Sequence, residues 1–380
     1  MKTPVNRERL AATFTELCEI SSPSRKEADV SAFLQKKFTQ LGADSIYEDS
    51  SAAGTGANCG NLIIRFPGSH PELERLFFSC HMDTVEPATG IEVTRTGDIF
   101  TSKGETVLGG DDKSGIAAIL ELLTLLKENN IPHCAIEVVL TTCEEIGLLG
   151  AKHLEFEKIQ SPYGYALDST GIDHVIIGAP AANKFKISIK GVAAHAGLNP
   201  ETGINALSLT AEALSRISVG RIDEESTRNF GLIQGGAATN IVPDLVTIHG
   251  EARSHSSKKL DNYTQEIIDT FNRVIDDWRE EFPEKELQPL MEYTVTADYP
   301  LLSLSQDTPV VQRVRMASEK SGRKLEYIVA GGGSDANIFN SHGLPTAIVA
   351  TGMDKVHTVN EQLDLNNLIG LTELLYALTT

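Results

Sequence analysis

The 380-residue sequence predicts an α/β protein with a mostly parallel sheet, interrupted by an inserted α+β domain. One observation predicts the sheet: short apolar runs of β character alternate with helical stretches, as in parallel sheets covered on both faces. Another predicts the insertion: near Pro180 the strands begin to alternate strictly between apolar and polar residues. Because ligands of parallel sheets gather at the carboxyl ends of the strands, we expect the functional site there.

Composition and charge exclude several classes of protein. Hydrophobic residues make up 41% and charged residues 22% of the chain, which disfavours disordered, collagen-like and coiled-coil proteins. The chain has 33 Lys and Arg against 52 Asp and Glu, a formal charge of -19 that would repel nucleic acids and anionic membranes. Neither is therefore expected as a partner.

Cysteine usage and the first residues bear on location. The 5 cysteines show no CxxC spacing, which is typical of reduced thiols. The opening segment MKTPVNRERLAATF lacks the apolar core of a signal peptide. We therefore expect a cytoplasmic protein.

The N-terminal region predicts an amphipathic surface helix. Ser24 and Glu27 have the spacing of a capping box, and Gly42 can end the helix. Between them, apolar residues recur at helical spacing: Val30, Phe33, Leu34, Phe38 and Leu41.

Short apolar runs then predict the strands of the first domain, at residues 61–66, 75–80, 135–143 and 163–168. Helices are expected after Asp112 and over residues 148–157. Near the end of the chain the same style returns, with a helix over 310–321, an apolar run at 324–330, a Gly-rich loop and a strand at 345–351.

The predicted domains are a catalytic domain formed by residues 1–179 and 298–380, and an inserted α+β domain of residues 180–297. In the insertion, Phe185, Ile187 and Ile189 alternate with polar neighbours, which predicts a strand with one buried face. The elements predicted after it include a helix over 204–217, a strand over 245–253, a helix over 260–281 and a strand over 291–296.

Residues that could carry chemistry stand at the ends of the predicted strands. On a strand His81 and Asp83 share one face, so His81 could bind a metal while Asp83 accepts its other ring N–H. A solvated strand end explains the pair equally well. Asp111 and Asp112 precede a helix, where adjacent Asp residues are more often N-terminal caps.

Three further acids and one histidine extend this pattern. Glu144 and Glu145 follow an apolar strand where neither is needed for solubility, so one could bind a metal while the other handles a proton. Asp168 ends the next predicted strand. His357 follows the last one, a position where a single histidine is more often a surface residue.

Taken together, two imidazoles and three carboxylates are expected at one sheet edge: His81, Asp111, Glu145, Asp168 and His357. This set suits a pair of borderline divalent metals, Zn, Co or Mn, rather than a Cys-rich structural site. Two dications would balance three carboxylates and one hydroxide, and such a centre generates hydroxide near pH 7 and polarises a carbonyl. Glu144 is then left as the general base.

Seven segments occur in a fixed order along the chain: HMDTV, GGDDKSG, TTCEEIGLLGA, LDST, GVAAHAG, GGAATNIVPD and GGGSDAN. In this order they resemble the dizinc peptidase family that contains peptidase T, carboxypeptidase G and the aminoacylases. The Asp-Asp-Lys and Glu-Glu-Ile-Gly segments are most similar to the peptidase T branch. The resemblance covers nearly the whole chain.

The resemblance implies two Zn²⁺ ions per subunit, with Co²⁺ or Mn²⁺ as substitutes. His81 and Asp168 would bind one ion, Glu145 and His357 the other, and Asp111 would bridge them.

The resemblance also implies roles for the neighbours of these ligands. Asp83 would orient His81, and Glu144 would take the proton of the bridging water. A cis peptide is implied between Asp111 and Asp112.

For the inserted domain, the resemblance implies a lid that also carries the contacts of a homodimer. His195 would polarise the scissile carbonyl oxygen and reach the partner subunit's site, while Asn240 and Arg253 would bind the substrate backbone or carboxylate. Considered without the family, these residues are more often a loop surface residue, a turn former and an exposed strand charge.

The Gly-rich loop departs from the family pattern. Peptidase T proper opens this loop with an Arg, and the aligned position here is Gly331. A guanidinium that would grip a carboxylate bidentately is absent there, so we expect looser length selection than strict tripeptide cleavage. Gly332, Gly333 and Ser334 are the expected substrate-binding residues of the loop. No Gly-Lys-Ser/Thr follows it, which disfavours nucleotide binding.

The sequence thus predicts a metallo-aminopeptidase of the peptidase T type that cleaves short peptides. The nearest alternative is an amidohydrolase that removes an acyl group from an N-acylated amino acid or dipeptide with the same metals and base. A metal-stabilised binding protein without turnover is a third possibility. Glu144 argues against it, because binding alone needs no base.

Overall fold

The computed structural model describes residues 5–380, which form two compact units. The unit predicted to be catalytic, called the catalytic unit here, contains the chain up to Gly178 together with Leu302–Thr380, and the inserted unit is Ala179–Leu301. Each unit has its own hydrophobic core.

The α-helices of the described residues are α1 (Arg7–Cys18), α2 (Ala28–Leu41), α3 (Ala52–Thr55), α4 (Gly110–Glu128), α5 (Leu149–Lys152), α6 (Ala206–Ser215), α7 (Ser257–Glu281), α8 (Pro309–Ser321), α9 (Asp335–Ser341) and α10 (Leu365–Thr379). Single 3₁₀ turns occur at Phe156–Lys158 and Pro200–Thr202.

The strands are β1 (Ser45–Glu48), β2 (Leu62–Phe66), β3 (Leu76–His81), β4 (Val93–Thr96), β5 (Ile99–Ser102), β6 (Ile136–Thr141), β7 (Gly164–Ala166), β8 (His174–Ala179), β9 (Ala181–Lys190), β10 (Gly220–Asp223), β11 (Ser226–Gly235), β12 (Leu245–Ser254), β13 (Leu290–Tyr299), β14 (Leu302–Ser303), β15 (Glu326–Val329), β16 (Thr346–Val349), β17 (Met353–Asp354) and β18 (Gln362–Asp364).

The catalytic unit is built on a nine-stranded sheet with the order β1-β2-β6-β3-β7-β16-β8-β14, and β15 pairs with β8. Its centre is parallel, because β6, β3, β7 and β16 run in one direction. Strand β2 is antiparallel to both of its neighbours, β1 and β6. Strands β3 and β6 are buried along their whole length, as the continuous apolar runs predicted. The predicted α/β fold with a mostly parallel sheet is confirmed.

Helices α1, α2, α4, α8 and α10 contribute to the main core of this unit. Helix α2 buries Val30, Leu34 and Phe38 and ends at Gly42 in the left-handed conformation, as predicted. The predicted capping box is wrong, because α2 begins after Glu27 and no side chain caps it. The helix predicted over 148–157 is also too long, since only α5 and one 3₁₀ turn form there.

The inserted unit is a five-stranded sheet with the order β10-β11-β12-β9-β13. Its neighbouring strands are all antiparallel. Phe185, Ile187 and Ile189 of β9 are buried in one core with residues of α6 and α7, while Lys186 and Lys190 on the opposite face are exposed. One face of the sheet is therefore covered by helices.

Within residues 5–380, none of the helices combines the length and the apolar composition needed to cross a bilayer.

Candidate active site

The ends of neighbouring parallel strands assemble one cluster of polar residues. Strand β3 ends at His81, and β6, β7 and β16 run parallel in the same layer. Glu145 follows β6, Asp168 follows β7 and His357 follows β16 in the sequence. Asp111 lies in the first turn of α4, where its backbone is non-helical, and the peptide between Asp111 and Asp112 is cis.

One carboxylate stands at the centre of this cluster. The Nε2 atom of His81 lies 3.1 Å from Oδ1 of Asp111, and the Nε2 atom of His357 lies 3.1 Å from Oδ2. His357 Nε2 also lies 3.1 Å from Oε1 of Glu145. The structure therefore brings together four of the five predicted metal ligands by direct contact.

Asp168 belongs to the same cluster through its charge. Burial, then the nearby charge of Asp111, raise the pKa of Asp168 to about 8. Burial, then the charge of Asp168, also raise the pKa of Glu144 well above its ordinary value. A cation held among these acids would oppose the repulsion that raises both pKa values.

The donor set fits a divalent metal. One donor atom from each of His81, Asp111 and Glu145 lies within 4.8 Å of the other two. Imidazole nitrogen and carboxylate oxygen atoms that share one ion at about 2.0–2.2 Å lie roughly 3–3.5 Å apart, and the 3.1 Å contacts fit this range. Asp111, with a different oxygen facing each histidine, has the arrangement of a carboxylate shared between two ions.

Asp83 contacts both His81 and the loop after β6 that carries Glu144 and Glu145, which is called the acidic loop here. The Nδ1 atom of His81 lies 2.9 Å from the backbone oxygen of Asp83 and 3.4 Å from its Oδ1. The Asp83 carboxylate accepts hydrogen bonds from the backbone N–H groups of Glu144, at 3.0 Å, and Glu145, at 3.2 Å, and from the Ser24 hydroxyl, at 2.7 Å. This buried side chain therefore fixes the peptide units that carry both glutamates.

Glu27 is a partner of the acidic loop that the sequence analysis missed. Its side chain is fully buried, and its Oε1 accepts the backbone N–H of Cys143 at 3.0 Å and that of Arg25 at 2.9 Å. Ser24 and Glu27 do have the capping-box spacing, but their side chains bond to residues far away in the sequence, Ser24 to Asp83 and Glu27 to Cys143. Spacing alone cannot tell a helix cap from a contact with a distant loop, because both need the same residue types.

Lys113 is a second missed residue. It is buried, and its ammonium group donates to the Ser22 hydroxyl at 2.7 Å and to the Thr84 hydroxyl at 2.9 Å. Burial lowers the pKa of Lys113. The segment GGDDKSG could have pointed to this lysine, since it places Lys113 directly after two acids.

In the inserted unit, His195 and Asn240 lie on two paired loops. The backbone N–H of Ala196 donates to the backbone oxygen of Asn240 at 2.9 Å, and the exposed His195 forms an isolated bridge with Ile241. The N–H of Gly197 donates to Nδ1 of His195 at 3.1 Å. This contact makes Nδ1 the acceptor, so the ring proton of the neutral imidazole resides on Nε2.

Arg253 lies on β12 and is already paired. Its Nε and Nη2 atoms lie 2.9 Å and 3.1 Å from the two carboxylate oxygens of Glu251. This partner could not be predicted from the sequence, because residues two apart on a strand can meet only when their side chains lean together.

The Gly-rich loop leads into α9. Gly332 and Gly333 are half-buried, whereas Ser334 is buried and its hydroxyl accepts the N–H of Ala336 at 3.3 Å. Asn337 completes a capping box with Ser334. In the structure Ser334 is therefore a helix cap.

Comparison with known proteins shows the family of this chain. Residues 77–380 match the family model described as peptidase family M20/M25/M40. The chain is 38% identical over 375 residues to the protein YqjE of Bacillus subtilis, covering 98% of each chain. It superposes on the crystal structure of aminopeptidase PepT from Bacillus cereus with a TM-score of 0.89 and 39% identity, covering 98% of each chain. It superposes on a tripeptidase from Staphylococcus aureus with a TM-score of 0.91 and 35% identity, again covering 98% of each.

The chain belongs to the peptidase family M20/M25/M40. It is a peptide hydrolase of this family, and its relatives include proteins named peptidase T. The family resemblance inferred from the seven sequence segments is confirmed.

Proposed function

We propose that the chain is an aminopeptidase of the peptidase T type that hydrolyses tripeptides and dipeptides. It would use two bound Zn²⁺ ions, which Co²⁺ or Mn²⁺ could replace. The observation that carries this proposal is the Asp111 carboxylate, each of whose oxygens lies 3.1 Å from the Nε2 atom of a different histidine. If Asp111 only paired with a histidine through a hydrogen bond, one imidazole would be enough. Two imidazoles that converge on the two oxygens of one carboxylate are the arrangement expected when that carboxylate binds two metal ions.

The proposed ligands divide into two sets. His81 and Asp168 hold one ion, Glu145 and His357 hold the other, and Asp111 serves both. The 3.1 Å contacts that His81 and His357 make with Asp111 support the shared position. The contact between His357 and Glu145 supports their assignment to one ion.

When bound, the ions would supply a water of lowered pKa and polarise the substrate carbonyl. Glu144 is the proposed general base that takes the proton of the attacking water. Asp83 accepts the backbone N–H of Glu144 at 3.0 Å and so holds this residue directly beside the proposed ligand Glu145. The same Glu144 can then deliver the proton to the departing amine.

The inserted unit is proposed to act as a lid. In the neutral His195 ring, the contact of Nδ1 with Gly197 leaves Nε2–H as a donor, which is the form needed to stabilise a developing oxyanion. Asn240 and Arg253 are the proposed contacts for the substrate backbone and carboxylate. Because Arg253 is paired with Glu251, it would share its guanidinium between Glu251 and the substrate.

Substrate length is tested by a screen of free dipeptides and tripeptides beside their N-acetylated forms, each with Zn²⁺, Co²⁺ or Mn²⁺. We expect cleavage of free peptides, and acceptance of dipeptides beside tripeptides because Gly331 offers no guanidinium. Cleavage restricted to tripeptides would refute the looser length selection. Preference for N-acetylated substrates would replace the proposal with an amidohydrolase.

We further propose a homodimer formed through the inserted unit. Strand β10 pairs only with the first residues of β11, up to Arg228. Beyond that point β11 carries the exposed residues Leu232, at 59%, and Ile233, at 56%, and a free strand edge of this kind is a template for a second copy. Sedimentation of the protein and of Leu232→Lys tests this, and an unchanged dimer in the variant would exclude this edge.

The five cysteines are all free and buried, which supports the proposal of a cytoplasmic location.

A further inference from the structure

The ligand His357 is held very differently from the ligand His81. His81 ends a buried strand and its side chain is 2% exposed, whereas the His357 side chain is 50% exposed. His357 also has a left-handed backbone, with φ of 61°. Since packing fixes so little of this side chain, its position depends on how its loop is anchored.

The anchor of this loop is the buried side chain of Glu361, which is 2% exposed. Its Oε2 accepts the backbone N–H groups of Leu108 and Gly109, both at 2.8 Å, and its Oε1 accepts the N–H of Asp111 at 3.0 Å. These amides belong to the segment that carries the shared ligand, 250 residues away from Glu361 in the sequence.

The geometry of the His357 turn transmits this anchoring. The backbone N–H of Glu361 donates to the backbone oxygen of Thr358 at 3.1 Å, which closes the turn of residues 358–361. This turn directly follows His357 and is called the His357 turn here. Directly after Glu361, strand β18 pairs with β5 and buries Leu363. Glu361 is thus the point where the His357 turn joins the Asp111 segment.

The carboxylate also suits its position electrostatically. The amides that donate to it are those of Leu108 and Gly109, just before α4, and of Asp111, in its first turn. Backbone N–H groups at this end of a helix lack helical partners, and the helix dipole favours negative charge there. A neutral Gln side chain would present an amide N–H₂ to at least one of these N–H groups, and two donors cannot pair.

We propose that Glu361 is a positioning residue that fastens the His357 turn to the Asp111 segment and so sets the separation of two metal ligands. This inference rests on the proposed function, because it assumes that His357 and Asp111 bind metal. Glu361 accepts three hydrogen bonds through its two oxygens, and no other side chain of residues 5–380 accepts a hydrogen bond from these three amides.

The test compares Glu361→Gln with Glu137→Gln. Glu137 is also buried and accepts backbone N–H groups, from Gln160 at 3.0 Å and Ser161 at 2.6 Å, but it lies at the beginning of β6, away from the strand ends that carry the ligands. Zinc affinity is measured by competition with a chelator, and amide hydrogen exchange is followed at Leu108, Gly109 and Asp111.

We expect Glu361→Gln to weaken zinc binding roughly 10- to 100-fold, as is typical when a partner of a ligand is lost. The three amides should exchange faster, saturating zinc should restore much of the turnover, and KM should stay unchanged because Glu361 does not contact substrate. Glu137→Gln should lower thermal stability while keeping the wild-type zinc affinity.

A milder variant keeps the test usable if Glu361→Gln fails to fold. An alanine Cβ at Gly110 would lie 3.0 Å from Glu361 Oε1, so Gly110→Ala should displace the carboxylate and weaken zinc binding less strongly. Where Glu361→Gln folds, the effect of Gly110→Ala should shrink in the double variant, because both changes act on one contact.

The outcomes separate the inference from the proposed function. A wild-type protein that binds no zinc would overturn the proposed function. A wild type that binds zinc, with Glu361→Gln and Gly110→Ala binding it equally well, would overturn only the role of Glu361, as would an equal loss of zinc in Glu137→Gln.

Discussion

The two units of the chain hold their candidate site residues in opposite ways. In the catalytic unit, His81 and Asp111 are 2% and 7% exposed and contact each other at 3.1 Å. In the inserted unit, His195 and Asn240 are exposed, and backbone pairing of their loops orients them. Buried polar groups must satisfy one another, so the first set is fixed by its own contacts, whereas the second is free to adapt to a ligand.

This difference predicts that substitutions in the two units have different effects. Changes in the catalytic unit should alter metal binding or the chemical step. Changes in the inserted unit should alter turnover or substrate affinity while the metal content stays constant.

The largest effect is expected from Glu144→Gln, which should lower turnover by on the order of 100- to 10,000-fold while keeping the metals and the fold. The reason is that an amide cannot take the proton of the attacking water. Metal analysis beside kcat checks this, with Glu145→Gln as the matched variant that should lose metal. If Glu144→Gln loses zinc and Glu145→Gln stays metallated, the two roles are reversed.

His195→Ala should come next, because the loss of one oxyanion donor costs roughly 3 kcal/mol, or about 100-fold in kcat. Metal content and thermal stability should not change, since His195 is exposed in the inserted unit. His249→Ala, in β12 of the same unit, is the control and should retain turnover. Loss of zinc in His195→Ala would contradict the division between the units.

Asp83→Ala and Glu27→Gln should each weaken metal affinity or turnover roughly 10- to 100-fold. Both side chains hold consecutive backbone N–H groups of the acidic loop, Glu27 at Cys143 and Asp83 at the two residues that follow. Chelator competition and kcat measurements check this. Wild-type values in both variants would show that the loop keeps its position without them.

The smallest effect is expected from Arg253→Ala, which should raise KM about fivefold, since a partly exposed ion pair contributes up to about 1 kcal/mol. The increase should be largest for substrates with a free carboxylate. Lys186→Ala, an exposed residue of the neighbouring strand β9, serves as the control. A lower kcat at constant KM would assign Arg253 to the chemical step instead.

Most of the sheet of the catalytic unit could be predicted because its strands are continuous apolar runs. Strands β2, β6 and β7 lie within the predicted segments, and β3 extends one residue past its predicted end, to His81. The ends of such buried strands also pointed to the candidate metal ligands, although each polar residue taken alone fits a solvated strand end as well.

The contacts between distant segments could not be predicted in the same way. Helix α10 buries many leucines, and its sequence from Leu365 reads as one more apolar run without a motif. Glu27 and Glu361 satisfy backbone amides of loops far away in the sequence, and a carboxylate shows no sign of such a partner until the fold brings the two segments together.

The catalytic unit is proposed to form a two-metal site that hydrolyses peptides. The most direct measurement is to strip the protein of metal with a chelator and titrate Zn²⁺ back while following bound ions and tripeptide cleavage together. Two ions should bind per chain, and activity should be lost on stripping and return as the sites fill. Full cleavage by the stripped protein, or full activity with one ion or none bound per chain, would contradict it.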